Sequence, residues 1–100
     1  MAKYYLTNKA VEDLTNIWNY TYEEWSESQA NKYYAILLEA FQNISDNPDL
    51  GKNYEGIAKG VSGFIINKHI VFYRRMNSGL IEIVRILHGK MDLKVKFWEE

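Results

Sequence analysis

VSGFIINKHIVFYRRMNSGLIEIVRILH, residues 61–88, is the stretch that decides the fold. Three runs rich in Val, Ile, Phe and Tyr, namely Val61–Asn67, His69–Met76 and Leu80–Leu87, alternate with a period of two. Asn67-Lys68 and Asn77-Ser78-Gly79 separate them, and these residue types accept the positive backbone φ of tight hairpins. Two consecutive hairpins predict a three-stranded antiparallel meander. In the last strand, Ile81–His88, strict alternation puts Ile81, Ile83, Arg85 and Leu87 on one side and Glu82, Val84, Ile86 and His88 on the other. Both sides are apolar at the centre, so both need cover.

Upstream of the meander the period changes to that of a helix. Thr7 is an N-cap candidate, and Ala10, Val11, Leu14, Ile17, Trp18, Thr21, Tyr22 and Trp25 follow at three- and four-residue steps, read as one amphipathic face. Ser26 and Gln29 have capping-box spacing and open a second helix carrying Ala30, Tyr33, Tyr34, Leu37, Leu38, Phe41 and Ile44, which Pro48 stops. With almost no loop between them, the two helices lie antiparallel as a hairpin. Their aromatic residues are assigned to the core rather than to a cofactor site. Asn47-Pro48-Asp49-Leu50-Gly51 begins a loop that runs to about Gly60. Lys3–Leu6 is available as an edge strand.

This order predicts an α+β domain over residues 1–100: an N-terminal helical hairpin packed on one face of an antiparallel sheet of three C-terminal strands plus a short N-terminal edge strand. Two helices cover one side of that sheet. The other side needs either a partner chain, the preferred reading, or the C-terminal tail, where Val95, Phe97 and Trp98 are apolar.

Charge is unevenly spread. Residues 1–58 hold four Lys or Arg against nine Asp or Glu, and residues 59–100 hold eight against four, so the net charge of −1 hides an acidic and a basic half. The absence of cysteine removes disulfide, thiolate and Cys-ligated zinc chemistry. No signal peptide and no run of about 18 apolar residues is found, so a cytoplasmic chain without a membrane partner is expected.

Motifs for catalysis fail on inspection. Gly51 and Gly56 have phosphate-loop spacing, but Ile57-Ala58 stand where Lys-Ser or Lys-Thr must reach phosphate and magnesium. Gly60-Val61-Ser62-Gly63 is followed by Phe64, which occupies the second glycine position of a nucleophile elbow. His69 and His88 are the only histidines and read as hydrogen-bonding strand-end residues, so no metal and no other cofactor is expected. What remains is a basic and aromatic group in the sheet: His69, Tyr73, Arg74, Arg75, Arg85, His88 and Lys90. Such residues can hold a phosphate backbone, position one for cleavage, or receive the carboxylates of a wrapping peptide.

At these residues the chain resembles the ParE branch of the RelE/ParE toxin family. The resemblance runs nearly end to end: Tyr5-Leu6-Thr7, Ala10 with Asp13-Leu14, Ile17-Trp18, Tyr20-Thr21, Trp25, Gln29-Ala30 with Tyr33, Asn47-Pro48 with Leu50-Gly51, His69-Ile70-Val71-Phe72-Tyr73-Arg74, and Ile83-Val84-Arg85-Ile86-Leu87-His88 with Met91-Asp92. It implies the toxin of a bacterial type II toxin–antitoxin pair, inhibiting DNA gyrase and neutralised by a cognate ParD-like antitoxin, with no sequence-specific nucleic-acid binding of its own. The RelE branch implies instead a ribosome-dependent messenger RNA endoribonuclease, and a degenerate member would keep antitoxin binding without toxicity. His69, Tyr73, Arg74 and Arg85 are expected to bind the antitoxin, while Lys90, Met91, Lys94, Lys96 and Phe97, in a basic segment beyond the last strand, are expected to contact the target. Structural pairing of Arg74 and Arg85 with Glu82 or a helix acid is the rival reading of those two. The tail segment Lys90–Phe97 is read as dispensable for the core. No catalytic residue is assigned on the ParE reading; on the nuclease reading Tyr73, Arg85 and His88 would be the catalytic group. The arginines common in the family around Phe64 are replaced here by Val61-Ser62-Gly63 and Ile65, with Lys59 and Lys68 nearby.

Overall fold

The computed structural model describes residues 3–99. Strand β1 (Tyr4–Leu6) leads into α1 (Asn8–Glu24) and α2 (Glu27–Asp46), and a 3-10 turn at Pro48–Leu50 leads to β2 (Lys52–Asn53). Strands β3 (Ser62–Ile66), β4 (His69–Arg75) and β5 (Ile81–His88) follow, and a short helix α3 (Leu93–Trp98) is the last described element.

Both predicted caps are in place. The Ala10 N–H donates to Thr7 Oγ1 at 3.1 Å, and the Gln29 N–H donates to Ser26 Oγ at 3.1 Å, so each helix starts by satisfying one of its orphan amides. Thr7 does more than cap. Its hydroxyl donates to Val84 O at 2.8 Å and its N–H to Ile83 O at 3.0 Å, which ties the start of α1 to β5.

The sheet is five-stranded, in the order β1-β5-β4-β3-β2. The meander forms as predicted, with Asn67 (φ 53°) and Gly79 (φ 84°) taking the positive φ in its two turns. Strand β1 is an edge strand, but it runs parallel to β5, because α1 and α2 carry the chain away and the meander brings β5 back alongside it. The sheet is therefore mixed. The loop after Pro48 also contributes a strand, β2, whose two residues pair with Gly63 and Ser62.

A bulge corrects the facing of β5. Phe72 pairs with Arg85 while the next residue, Tyr73, pairs with Ile83, so Val84 is the extra residue. The alternation shifts phase there. Ile81, Ile83 and Ile86 share the core under α1 and α2 with Leu14, Leu37, Phe41, Val71 and Tyr73, whereas Leu87, with Val84 packed beside it, belongs to a second core. That second core contains Val61, Ile70, Phe72 and Phe97, with Tyr54, Ile57 and Leu93 against it. The sheet face expected to await a partner is thus covered by the chain itself, through the 54–58 segment and α3. Phe97 packs edge-on to Phe72 with ring centroids 5.6 Å apart. The tail is part of the core, contrary to the expectation that Lys90–Phe97 is dispensable to it.

Candidate functional site

The basic residues of the sheet are mostly engaged within the chain. Arg85 is buried, and its guanidinium spans two elements. Nε and Nη2 donate to the two carboxylate oxygens of Asp13 on α1, each at 2.8 Å, while Nη1 donates to the carbonyls of Lys96, Phe97 and Glu99 at 2.8, 3.3 and 3.4 Å. Asp13 also accepts the Ile86 N–H at 3.0 Å, on the stretch of the β5 edge that short β1 leaves uncovered. The hydrogen bond from Asp13 raises the Arg85 pKa above its already high ordinary value, against the opposing effect of burial. Arg85 is a clamp between α1, β5 and α3.

Arg74 pairs across the sheet with Glu82, through Nη2 at 2.6 Å and Nε at 3.1 Å, and the Tyr5 hydroxyl donates to the other Glu82 oxygen at 2.8 Å. Burial pushes the Glu82 carboxyl up, but the hydrogen bonds from Arg74 and Tyr5 outweigh it and hold the pKa below the ordinary value. Arg75 pairs with Asp49. Tyr73 has no exposed surface. Its hydroxyl donates to Pro48 O at 2.6 Å and accepts the Gly51 N–H at 2.9 Å, fixing both ends of the 3-10 turn.

His69 and His88 face each other at the end of β4 and β5, with ring centroids 5.4 Å apart and nearly perpendicular. The Tyr33 hydroxyl lies 2.7 Å from His69 Nδ1, and the Lys90 N–H donates to His88 Nδ1 at 3.1 Å. Burial, reinforced by the neighbouring His88, lowers the His69 pKa to about 4, so His69 is neutral near pH 7 and shares a hydrogen bond with the Tyr33 hydroxyl. Tyr73 and Arg85 lie apart from this pair in separate hydrogen-bond networks, so the three residues of the nuclease reading are not assembled into one site. Among the described residues no group of three or more His, Asp or Glu could hold a metal, and no helix is long and apolar enough to cross a membrane.

A concave surface lies elsewhere. A groove of about 500 Å³ opens beside β1, lined by Tyr4 and Leu6 of β1, Val11, Leu14, Thr15, Trp18 and Asn19 of α1, and Tyr34 and Leu38 of α2. Beyond the groove, the exposed side of α1 carries Tyr22, whose ring stacks on Trp18 at 5.3 Å, and the C-cap residue Trp25 is 75% exposed. Residues 11, 15, 18, 22 and 25 advance by alternating steps of four and three, the spacing of a helix–helix seam. The core face of α1 is a different stripe, with Ala10 and Leu14 buried and Ile17 packed against them. Reading all the apolar residues of α1 as one face concealed this second stripe. The signal was present: eight apolar or Thr positions in sixteen residues exceed what one face holds.

The predicted target segment divides. Lys90, Met91 and Lys94 are exposed, whereas Phe97 is core and Lys96 is half-buried, its Nζ 3.3 Å from Glu99.

A helical hairpin on one face of a mixed sheet is also the fold of solved chains from bacterial toxin–antitoxin systems. Over 90% of this chain it superposes on 98% of a chain of the chromosomal ParDE system from P. aeruginosa, with TM-score 0.76 and 20% identity. A chain of the toxin–antitoxin complex RelBE2 from Mycobacterium tuberculosis matches with TM-score 0.66 and 20% identity, over 87% of this chain and 96% of that one. In sequence, residues 4–93 match the family model described as the ParE toxin of the type II toxin-antitoxin system, parDE. Toxin ParE1 of Mycobacterium tuberculosis is 34% identical over 92% of this chain and 94% of its own length, and Toxin ParE1 of Caulobacter vibrioides is 33% identical over 94% and 96%. The chain belongs to the ParE toxin family of type II toxin–antitoxin systems.

Proposed function

We propose that this ParE-type toxin acts by binding, that its target is DNA gyrase, and that a ParD-like antitoxin neutralises it. One observation carries binding over cleavage of messenger RNA. Of the three residues of the nuclease reading, Arg85 holds a carboxylate of the same chain and Tyr73 holds a backbone turn, both apart from His88, so the three do not converge on a substrate phosphate. Of the residues read as antitoxin contacts, Arg74 and His69 keep exposed surface and remain candidates, while Tyr73 and Arg85 act from beneath by fixing the framework.

The antitoxin's main seat is proposed to be the groove beside β1. Its four–three seam favours an α-helix as occupant, with apolar residues toward Val11, Trp18 and Tyr22. Glu12 and Glu23 flank the seam and favour basic residues at the occupant's margins. Target contact is assigned to the exposed part of the tail, around Lys90, Met91 and Lys94.

The test separates the two toxin mechanisms in cells. On induction without antitoxin, growth arrest with gyrase-linked DNA breaks and intact transcripts is expected. Codon-linked transcript cleavage with intact DNA would overturn the gyrase reading in favour of the ribonuclease, and normal growth would leave only a binding module.

A further inference from the structure

The short C-terminal helix covers the second core with one face and leaves the other bare. Leu93 and Phe97 point inward, whereas Met91, Val95 and Trp98, at steps of four and three, are 43, 59 and 63% exposed. The exposed indole is not loose. Trp98 Nε1 donates to Ile57 O at 3.0 Å and its ring meets Phe97 edge-on at 5.1 Å, so an aromatic anchor is held in place before anything binds it. Preorganised aromatic side chains are the typical centres of binding energy at protein surfaces, since little side-chain freedom remains to be lost.

The charges around this strip are one-sided. Asp92 is spent as the cap of α3, its carboxylate accepting the Val95 N–H, and Glu99 pairs with Lys96. Lys59, Lys90 and Lys94 are exposed and have no ion-pair partner among the described residues. With Asp92 and Glu99 so engaged, the described surface presents an apolar strip beside lysines that have no ion-pair partner among the described residues.

We infer that the outer face of α3 and of the turn before it, with Met91, Val95 and Trp98 at its centre and Lys90 and Lys94 at its rim, is the docking surface for a protein partner that presents an apolar socket bordered by carboxylates. Met and Val at the centre match a protein socket better than a nucleic acid, whose bases and phosphates call for a row of aromatics and arginines along the strand. A six-residue helix is also too short to lie as a membrane anchor. The inference deepens the proposed function and rests on it in one respect: the partner is then a surface of gyrase. It moves the expected contact off Phe97 and Lys96, which serve the fold, and onto Val95 and Trp98.

The experiment uses the full chain with Val95→Glu, Trp98→Ala and the pair Lys90→Glu/Lys94→Glu. Growth arrest on induction is scored together with binding of the purified chains to purified gyrase, and thermal unfolding verifies the fold. Each variant is expected to weaken gyrase binding by about 30-fold or more and to abolish arrest. Raising salt from about 50 to about 300 mM is expected to weaken the wild-type complex. Trp98→Ala also loses a hydrogen bond to the 54–58 segment, so should it unfold, the other two variants, at exposed positions, decide the matter. Val95→Glu that still arrests growth overturns the surface, whatever the target. Loss of arrest in Val95→Glu, with wild-type chain that does not bind gyrase, keeps the surface and discards gyrase. A wild-type chain that neither arrests growth nor binds gyrase overturns both. Wild-type binding to a labelled single-stranded oligonucleotide that Lys90→Glu/Lys94→Glu abolishes would replace the protein partner with a nucleic acid.

Discussion

Asp13→Ala is expected to be the most damaging single change outside the apolar core. The side chains of Asp13 and Arg85 are only 11 and 10% exposed, so both charges have left most of their water. Removing the carboxylate deletes two charge-assisted hydrogen bonds at 2.8 Å and leaves the Arg85 cation buried without its counter-ion. It also strips the Ile86 N–H of its acceptor on the uncovered edge of β5. Breaking a buried pair on one side costs about 3 to 5 kcal/mol, and the three carbonyls still held by Arg85 place this case at about 3 kcal/mol. For a domain of this size that is a large share of a total near 5 to 15 kcal/mol. Urea unfolding followed by circular dichroism at pH 7 measures it. The double change Asp13→Leu/Arg85→Met removes both charges and is expected to cost clearly less than Asp13→Ala alone. A loss below about 1 kcal/mol for Asp13→Ala would refute the reasoning, since it would mean that water already solvates the pair.

Three further outcomes follow from the same geometry. Tyr73→Phe leaves Pro48 O and the Gly51 N–H without their shared partner and is expected to cost about 1 to 3 kcal/mol by urea unfolding, while an unchanged midpoint would show that water replaces the hydroxyl. His69 titrates near about 4 when folded against 6.5 when unfolded, so between those pH values the unfolded chain binds the extra proton. Its contribution is full above pH 6.5 and is lost as pH falls toward 4; allowing for partial exposure, about 1 to 2 kcal/mol should disappear, and His69→Asn should flatten that part of the stability curve. The double change Val11→Asp/Thr15→Arg alters exposed groove positions and should leave growth arrest intact while a co-expressed ParD-like antitoxin no longer rescues growth. Full rescue would place the antitoxin elsewhere.

The elements that local chemistry dictates are legible in the sequence. Thr7 and Ser26 announce helix starts, Pro48 a helix end, and Asn67 and Gly79 the two turns, because each acts on backbone groups within a few residues. What could not be read depends on distant partners. The parallel docking of β1 and the pairing of Lys52–Asn53 are set by what the rest of the sheet offers, and three- and two-residue strands carry no pattern of their own. The bulge at Val84 rotates Arg85 out of strict alternation, so the face assigned to it from sequence was not the one it occupies. The candidate site followed the same division. Basic residues were recognised by type, and pairing of Arg74 with Glu82 and of Arg85 with a helix acid was among the alternatives. That Tyr73 is buried and Phe97 is core, while Val95 and Trp98 are surface, required knowing that α3 folds back on Phe72.

The most direct test is DNA supercoiling by purified gyrase, with the purified chain added alone or after preincubation with a ParD-like antitoxin. Inhibition by the chain alone, lifted by the antitoxin and restored when the chain carries Val11→Asp/Thr15→Arg, is the expected result. Supercoiling that proceeds unhindered at chain concentrations in molar excess over gyrase would contradict it.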